Sequence, residues 1–107
     1  MKILKTPRYK RGHKRLKNKH MNKELKIIEL IEILIINSDN LKELLFNPLS
    51  KTYNIEKKNQ NYKEFYTARI NKKIRLYIRP IGEYPYSLEK IVEVGLQEID
   101  DTHYGDG

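Results

Sequence analysis

Hydrophobic positions in the first half of the chain repeat with the period of a helix. The run KELKIIELIEILII after Asn22 spaces its apolar residues by three and four positions and its polar residues by three. The main apolar stripe is Leu25, Ile28, Ile31 and Ile35, with Ile27, Leu30 and Leu34 beside it and Lys26, Glu29 and Glu32 opposite. The dense β-branched content also fits a strand, but a length of about fifteen residues favours a helix. We therefore predict one core helix with Asn22 as its N-cap.

A weaker pattern precedes this helix. Residues 1 to 5 fit a short strand. The polar and basic residues 8 to 19 follow Pro7 and fit a helix, although Gly12 weakens that interpretation. The expected order at the start of the chain is therefore a strand followed by a marginal helix.

A helix-start signal follows the core helix. Asn40, with Glu43 three positions later, resembles a capping box for a short helical turn through Phe46. Pro48 ends that turn because a proline disfavours helical backbone in the residue before it. Residues 49 to 61 are mostly polar, and we predict a loop there.

After this predicted loop the apolar residues repeat every second position, which is typical of strands with one buried face. In FYTARI, Tyr66, Ala68 and Ile70 alternate with Phe65, Thr67 and Arg69. In KIRLYIRP, Ile74, Leu76 and Ile78 alternate with Arg75, Tyr77 and Arg79. Residues 71 to 73 fit a hairpin turn between the two. We predict two antiparallel strands with an aliphatic face towards the core and a basic, aromatic face exposed.

A third strand is predicted near residues 90 to 99, with Val92, Val94 and Leu96 on one side and Gly95 at a bulge. Helices first and a strand meander second predict an α+β fold. The expected architecture is an N-terminal helical hairpin packed on one face of a small antiparallel β-sheet. With 107 residues and no internal repeat, the chain is expected to form one domain over residues 1 to 107.

Composition excludes several classes of protein. The chain has no cysteine, which removes disulfides, cysteine-ligated zinc and thiol nucleophiles, and which fits a reducing compartment. The longest apolar run, from Ile33 to Ile36, is far too short to span a bilayer, and no apolar segment follows the basic start as in a signal peptide. We expect a soluble protein of the cytoplasm.

The positive charge is concentrated at the N-terminus. Of the 22 lysines and arginines that give a net charge of +8, nine lie in residues 1 to 20, where there is no acidic residue. The rest of the chain is close to neutral, with 13 bases against 14 acids. Such a block can neutralise nucleic acid phosphates or bind an acidic partner. A solvated basic helix face or a flexible basic arm is the alternative interpretation.

No nucleotide-binding loop, nucleophile elbow or zinc-protease motif is present, so any chemistry must come from dispersed residues. The candidates are the cationic Arg69, Arg75, Arg79 and Lys63, the aromatic Tyr66 and Tyr77, and Glu56, His103 and Tyr104 for proton transfer. Guanidinium groups suit the charge that develops on phosphate oxygens during phosphodiester cleavage. An imidazole transfers protons near neutral pH. Together these residue types are suited to cutting a phosphodiester.

Each candidate also has an ordinary structural interpretation. Alternating arginines on a strand protect an exposed edge against aggregation. A histidine near a chain end is more often a surface residue than a catalyst, and Glu56 beside Lys57 and Lys58 fits a surface ion pair. Exposed tyrosines pack in turns as well as stack on unpaired bases. The residue pattern alone leaves these alternatives open.

The strings FYTARINKKIRLYIR and EIDDTHYG, together with the element order, resemble the RelE/ParE superfamily of type II toxins, especially its YoeB/HigB branch. The resemblance covers about residues 41 to 104 in sequence and only the architecture before that. The pairs Ala68-Arg69 and Arg75-Leu76 stand where that family has a strand-end arginine and a strand-start arginine. His103-Tyr104 matches the terminal pair of the YoeB branch, although residues 105 to 107 extend beyond it.

The resemblance implies roles for these residues. Arg75 would stabilise the charged phosphorus centre, and His103, Tyr104 and Glu56 would transfer protons. Arg69, Lys63, Arg79 and Tyr77 would bind the RNA and its phosphates. The reaction would need no metal or organic cofactor.

The activity implied is that of a toxin that cleaves mRNA on the ribosome and arrests growth, with a cognate antitoxin, the ribosome and mRNA as partners and no membrane. A toxin of the ParE type, which inhibits DNA gyrase without nuclease activity, shares the same scaffold and is one alternative. A basic nucleic-acid-binding module with no enzymatic activity is the other.

Overall fold

Four helices and five strands make up residues 1 to 60 and 63 to 101, which are the residues described by the computed structural model. The helices are α1 (Pro7–Asn18), α2 (Asn22–Asn37), α3 (Leu41–Phe46) and α4 (Leu49–Thr52). The strands are β1 (Lys2–Lys5), β2 (Glu56–Gln60), β3 (Lys63–Arg69), β4 (Arg75–Pro80) and β5 (Glu93–Asp100). This composition and order confirm the predicted α+β fold.

All five strands form one sheet in the order β1-β5-β4-β3-β2. The pairs β3–β4 and β4–β5 are antiparallel, as the predicted strand meander requires, and the unpredicted pair β2–β3 is also antiparallel. The first strand differs, because β1 pairs in parallel with β5. The sheet is therefore mixed, and β5 lies inside it although it is the last of the described strands along the chain.

Helix α1 forms despite its glycine because its start is well capped and its apolar side is buried. The Thr6 hydroxyl accepts a hydrogen bond from the backbone N–H of Tyr9 at 3.0 Å, and Pro7 occupies the first helical position. Tyr9 and Leu16 are buried in the core. A Cβ on Gly12 would lie 3.0 Å from Cβ of Ile99, so the glycine lets α1 approach β5 closely. The residue that weakens the helix in the sequence therefore has a packing role.

We expect Gly12→Val to lower the free energy of unfolding by about 1–3 kcal/mol, because its three side-chain carbons, two more than alanine has, would overpack the contact with Ile99. Gly12→Ala is the matched control, since its gain in helix propensity of about 1 kcal/mol offsets the tighter contact. Urea unfolding monitored by circular dichroism measures both. A valine variant as stable as the alanine variant would contradict the close approach.

Helix α2 is the predicted core helix, with Ile28, Ile31, Leu34 and Ile35 buried against the rest of the domain. Its start differs from the prediction. Asn22 is the first helical residue, and Met21 occupies the N-cap position with no side-chain hydrogen bond to the helix. The side chain of Asn22 is therefore not the cap that its residue type suggests.

The capping box of α3 is confirmed in its main contact, since Asn40 Oδ1 accepts a hydrogen bond from the N–H of Glu43 at 2.9 Å. The loop predicted for residues 49 to 61 is wrong, because α4 and β2 lie there. Every residue of β2 is exposed, so the strand lacks the alternation that reveals a half-buried strand. Its pairing with β3 determines its conformation.

The strands β3 and β4 follow the predicted alternation except at Thr67, which is buried although it lies on the side predicted to be exposed. Ala68, Ile74, Leu76 and Ile78 are buried on the core side. In β5, Val94 and Leu96 are buried as predicted, but Val92 precedes the strand and is 55% exposed. The bulge lies at Gln97 and not at Gly95, because Tyr77 pairs with Glu98 while the next residue, Ile78, pairs with Leu96.

A hydrogen-bonded group joins α1, α2 and β1. The buried Tyr9 donates its hydroxyl to Glu32 Oε2 at 2.7 Å, and Lys5 Nζ lies 2.8 Å from Glu32 Oε1. Burial, followed by the neighbouring Glu32 carboxylate, raises the pKa of Tyr9 well above its ordinary value. The phenol therefore stays protonated in the folded protein at alkaline pH.

The raised pKa of Tyr9 predicts that this residue accounts for part of the loss of stability at alkaline pH. Since the unfolded chain releases the tyrosine proton near pH 10 and the folded chain keeps it, stability falls above about pH 10, by about 1.4 kcal/mol per pH unit for this one proton. We expect the Tyr9→Phe variant to lose this part of the slope while remaining pH-dependent through other groups. Urea midpoints between about pH 9 and about pH 11.5 measure the difference. Parallel pH profiles for the two proteins would contradict the assignment.

Among the residues that the structure describes, no helix is both long and apolar enough to cross a membrane.

Candidate functional site

The sheet turns one side towards the helices, and no helix among the described residues covers the other side. Thr67 of β3 pairs with Tyr77 of β4 and with Glu56 of β2, so these three side chains lie on the same side, away from the buried Ala68 and Leu76. We call this side the open face. Its members are Glu56, Lys58 and Gln60 of β2, Lys63, Phe65, Thr67 and Arg69 of β3, Arg75, Tyr77 and Arg79 of β4, and Glu98 and Asp100 of β5.

A stacked aromatic pair lies at the centre of the open face. The rings of Phe65 and Tyr77 are 5.4 Å apart between centroids and 20° from parallel. The Tyr77 hydroxyl donates to Asp100 Oδ2 at 3.1 Å. Burial raises the pKa of Tyr77, with further contributions from the hydrogen bond to Asp100 and the charge of Glu98. The phenol is thus held as a hydrogen-bond donor near neutral pH and not as a base.

The aromatic pair divides the open face into two clefts. Arg75 and Arg79 lie on either side of Tyr77 along β4. The Arg75 cleft, about 400 Å³, is lined by Lys58, Asn59, Gln60, Phe65, Thr67, Arg75 and Tyr77. The Gln97 cleft, about 310 Å³, is lined by Gln60, Lys63, Glu64, Phe65, Tyr77, Ile78, Arg79, Tyr86, Gln97 and Glu98. Both clefts combine aromatic rings with cationic side chains.

Helix α1 neutralises the acidic end of β5. Arg8 Nη1 lies 3.6 Å from Glu98 Oε1, and Arg15 Nη2 lies 3.5 Å from Asp101 Oδ1. These partly exposed pairs contribute little to stability, but they place a cation of α1 beside each carboxylate. The basic N-terminal block is therefore a helix with two arginines at the sheet, while Lys10, Lys14 and other bases remain exposed.

Seven of the nine candidate residues lie in the described part of the chain, and six of them are on the open face. The seventh, Tyr66, is buried in the core. Arg75 and Tyr77 line the Arg75 cleft, while Lys63 and Arg79 line the Gln97 cleft. His103 and Tyr104 lie outside the described residues. The last residue of β5, Asp100, lies beside Arg75, with which it pairs across β5 and β4.

Two of the predicted residues are set apart from the clefts. Arg69 pairs with Arg75 in register, but it lines a separate depression with Tyr53 and Asn71. Glu56 lies two strands from β4, which places its Cα roughly 10 Å from that of Tyr77. Its carboxylate pairs with Lys58 Nζ at 3.2 Å and is exposed, as the ion-pair interpretation expects.

Several residues of the open face were not singled out from the sequence. Phe65 alternates with Arg69 in the same strand, so the period of two already places it on the exposed side. Gln97 gives no such signal, because a bulge interrupts the alternation and shifts the residues that follow. Among the described residues, no group of three or more histidines, aspartates or glutamates is arranged to hold a metal ion.

No protein-family model matches this chain, and no curated protein matches its sequence. Among solved structures, the chain is similar to the crystal structure of YafQ from E. coli strain BL21(DE3), with a TM-score of 0.62. The chain has the YafQ fold. The two share 17% identity, and the alignment covers 98% of this chain and 97% of YafQ. The likeness to YafQ thus includes the helices as well as the sheet that carries the two clefts.

Proposed function

We propose that this chain is the toxin of a type II toxin–antitoxin system and cleaves mRNA on the ribosome. The chain shares its fold with YafQ over nearly the whole length of both chains. The sequence resemblance to the RelE/ParE superfamily, especially its YoeB/HigB branch, points to this function. The observation that carries the proposal is the open face, where four cationic side chains surround a stacked aromatic pair. These cations are Lys58, Lys63, Arg75 and Arg79.

The scissile phosphate is assigned to the Arg75 cleft. The 2′-hydroxyl oxygen of the message attacks phosphorus while a base removes its proton, and the 5′ oxygen leaves with a proton from an acid. The products are a 2′,3′-cyclic phosphate and a 5′-hydroxyl end. The guanidinium of Arg75 donates to the non-bridging oxygens, on which charge accumulates in the transition state. Lys58 adds positive charge from the facing wall.

Proton transfer is assigned to His103, Glu56 and Tyr104, as the resemblance implies. Glu56 is exposed on the open face beside Lys58, so its carboxylate is accessible to a bound message. Because these residues and the arginines supply both proton transfer and charge stabilisation, the proposed reaction needs no metal or organic cofactor.

The remaining cations are assigned to binding. Lys63, Arg79 and Arg69 contact flanking phosphates, while Tyr77 provides an aromatic surface for the message. The exposed bases of α1 suit ribosomal RNA or an acidic segment of an antitoxin. In this proposal the whole chain acts as one cytoplasmic toxin domain.

Controlled expression in bacteria, followed by mapping of transcript ends, tests the proposal. We expect growth arrest and new 5′-hydroxyl ends within translated messages, and purified protein should cut a message only when ribosomes are present. The variant Lys51→Ala, an exposed residue of α4 outside the clefts, is the control and should act like the parent. Growth arrest in which transcripts stay intact and DNA-damage signalling is induced would favour gyrase inhibition over mRNA cleavage. If the single variants His103→Ala and Arg75→Ala both arrest growth as fully as the parent, the assignment of cleavage to these residues is wrong.

A further inference from the structure

Gln97 occupies an unusual position beside the proposed active face. It is the extra residue of the bulge in β5 and has no pairing partner on β4. Its backbone oxygen accepts a hydrogen bond from the Thr6 hydroxyl at 2.6 Å, which ties the bulge to the start of α1. Its side chain lines the Gln97 cleft next to Glu98. The bulge thus brings two consecutive residues with acceptor oxygens to the lining of one cleft.

The side-chain oxygen of Gln97 lacks a partner. Oε1 is buried and accepts no hydrogen bond from any described residue. Enclosed amide oxygens are nearly always paired, because an unpaired one loses its hydrogen bonds to water without replacement. The terminal torsion of a glutamine is soft, so a small turn of the amide can offer this oxygen to a donor that enters the cleft. The group that fits this oxygen is a hydrogen-bond donor, and on a nucleobase that donor is an N–H group.

The rest of the Gln97 cleft has the features of a site for an unpaired base. Phe65 and Tyr77 form one wall, and unpaired bases stack on such rings whatever their sequence. Lys63 and Arg79 supply the positive charge that a phosphate requires. A volume of about 310 Å³ is within the range of small-ligand sites.

We propose that the Gln97 cleft binds one unpaired nucleobase of the RNA and selects a base with an exocyclic amino group. The amino group donates to Gln97 Oε1, and the Glu98 carboxylate disfavours a carbonyl oxygen in the same place. Adenine and cytosine carry this amino group where hypoxanthine and uracil carry a carbonyl oxygen. The inference rests on the proposed function in taking RNA as the ligand, with the scissile phosphate in the neighbouring Arg75 cleft.

Two matched pairs of nucleotides test this inference with the full-length protein and without a ribosome. Cytidine and uridine 3′-monophosphates differ at the amino position, as do adenosine and inosine 3′-monophosphates. We expect the amino member of each pair to bind roughly 10-fold more tightly in titrations followed by NMR, because a base without the donor leaves Gln97 unpaired. Equal affinities within each pair, or no binding by any of the four, would overturn the inference.

Two variants locate the preference. Gln97→Met has a similar length and no polar atom, so it should bind both members of each pair equally and should be no less stable than the parent. Phe65→Leu removes the ring, so it should weaken the binding of all four nucleotides while the ratio of the two affinities within each pair stays the same. A preference that survives Gln97→Met would assign selection to another residue and end the proposal. If that variant does not fold, the comparison of nucleotides on the parent protein still decides.

These binding results are independent of cleavage. If the protein prefers amino-bearing bases but cuts no message, the inference about the Gln97 cleft holds and the nuclease proposal is wrong. If the protein cuts ribosome-bound message but shows no preference between the paired nucleotides, the nuclease proposal holds and the inference about the Gln97 cleft is wrong.

Discussion

Replacing Arg75 with alanine is expected to slow transcript cleavage by about 10²- to 10³-fold, because one donor to the transition-state charge is lost. The side chain is half-exposed on the open face and lines the cleft assigned to the scissile phosphate. Arg75→Lys should recover only part of the rate, since an ammonium group keeps the charge but not the two-pronged geometry of a guanidinium. Folding should change little, because the side chain is not part of the core.

Initial rates on one ribosome-bound message measure this effect. Arg79→Ala is the matched comparison on the same strand, and it should raise KM more than it lowers kcat because Arg79 is assigned to binding. Thermal unfolding of both variants checks that the fold is intact. An Arg75→Ala protein that cuts within about threefold of the parent rate would show that the charge is stabilised elsewhere.

Replacing Leu76 with alanine is expected to lower the free energy of unfolding by about 2–5 kcal/mol. Leu76 is fully buried on the core side of β4, directly between Arg75 and Tyr77. The loss combines removal of apolar surface from the core with the cavity left behind. For a domain of this size it is a large part of a total stability of about 5–15 kcal/mol.

Val92→Ala is the matched control, because Val92 is 55% exposed and its truncation should change stability by less than about 0.5 kcal/mol. Urea unfolding measures both variants. The cleavage rate of Leu76→Ala should fall with the fraction of folded protein and return to the parent value when the rate is expressed per folded molecule. A stable Leu76→Ala protein would contradict the burial of β4.

The elements predicted correctly from the sequence are those with one buried and one exposed side. The stripe of α2 and the alternation of β4 both arise because a core covers only one side of each element. The cap at Asn40 was visible because its hydrogen bond is local. These features depend on neighbours within a few residues along the chain.

The features that were missed depend on distant partners. Strand β2 is exposed on both sides, and only its hydrogen bonds to β3 make it a strand. The parallel pairing of β1 with β5 joins the two ends of the described chain, and no local pattern encodes it. Gly12 is explained only by Ile99, which is far away in sequence.

The candidate site divides in the same way. The alternation in β4 predicted that Arg75, Tyr77 and Arg79 share an exposed side, and the structure places them there. The division of that side into two clefts could not be predicted, because it results from the contact between Phe65 and Tyr77. The unpaired oxygen of Gln97 follows from a bulge and from burial, neither of which is written in a single sequence.

The interior position of β5 has a consequence for the nascent chain. During translation β4 and β1 are complete long before residues 93 to 100 have left the exit tunnel, yet each needs β5 as its neighbour. Until then the strand with Arg75 has an unpaired edge, and the arginines are not fixed relative to Asp100. The open face of the proposed enzyme is therefore assembled only after β5 has paired with both β1 and β4.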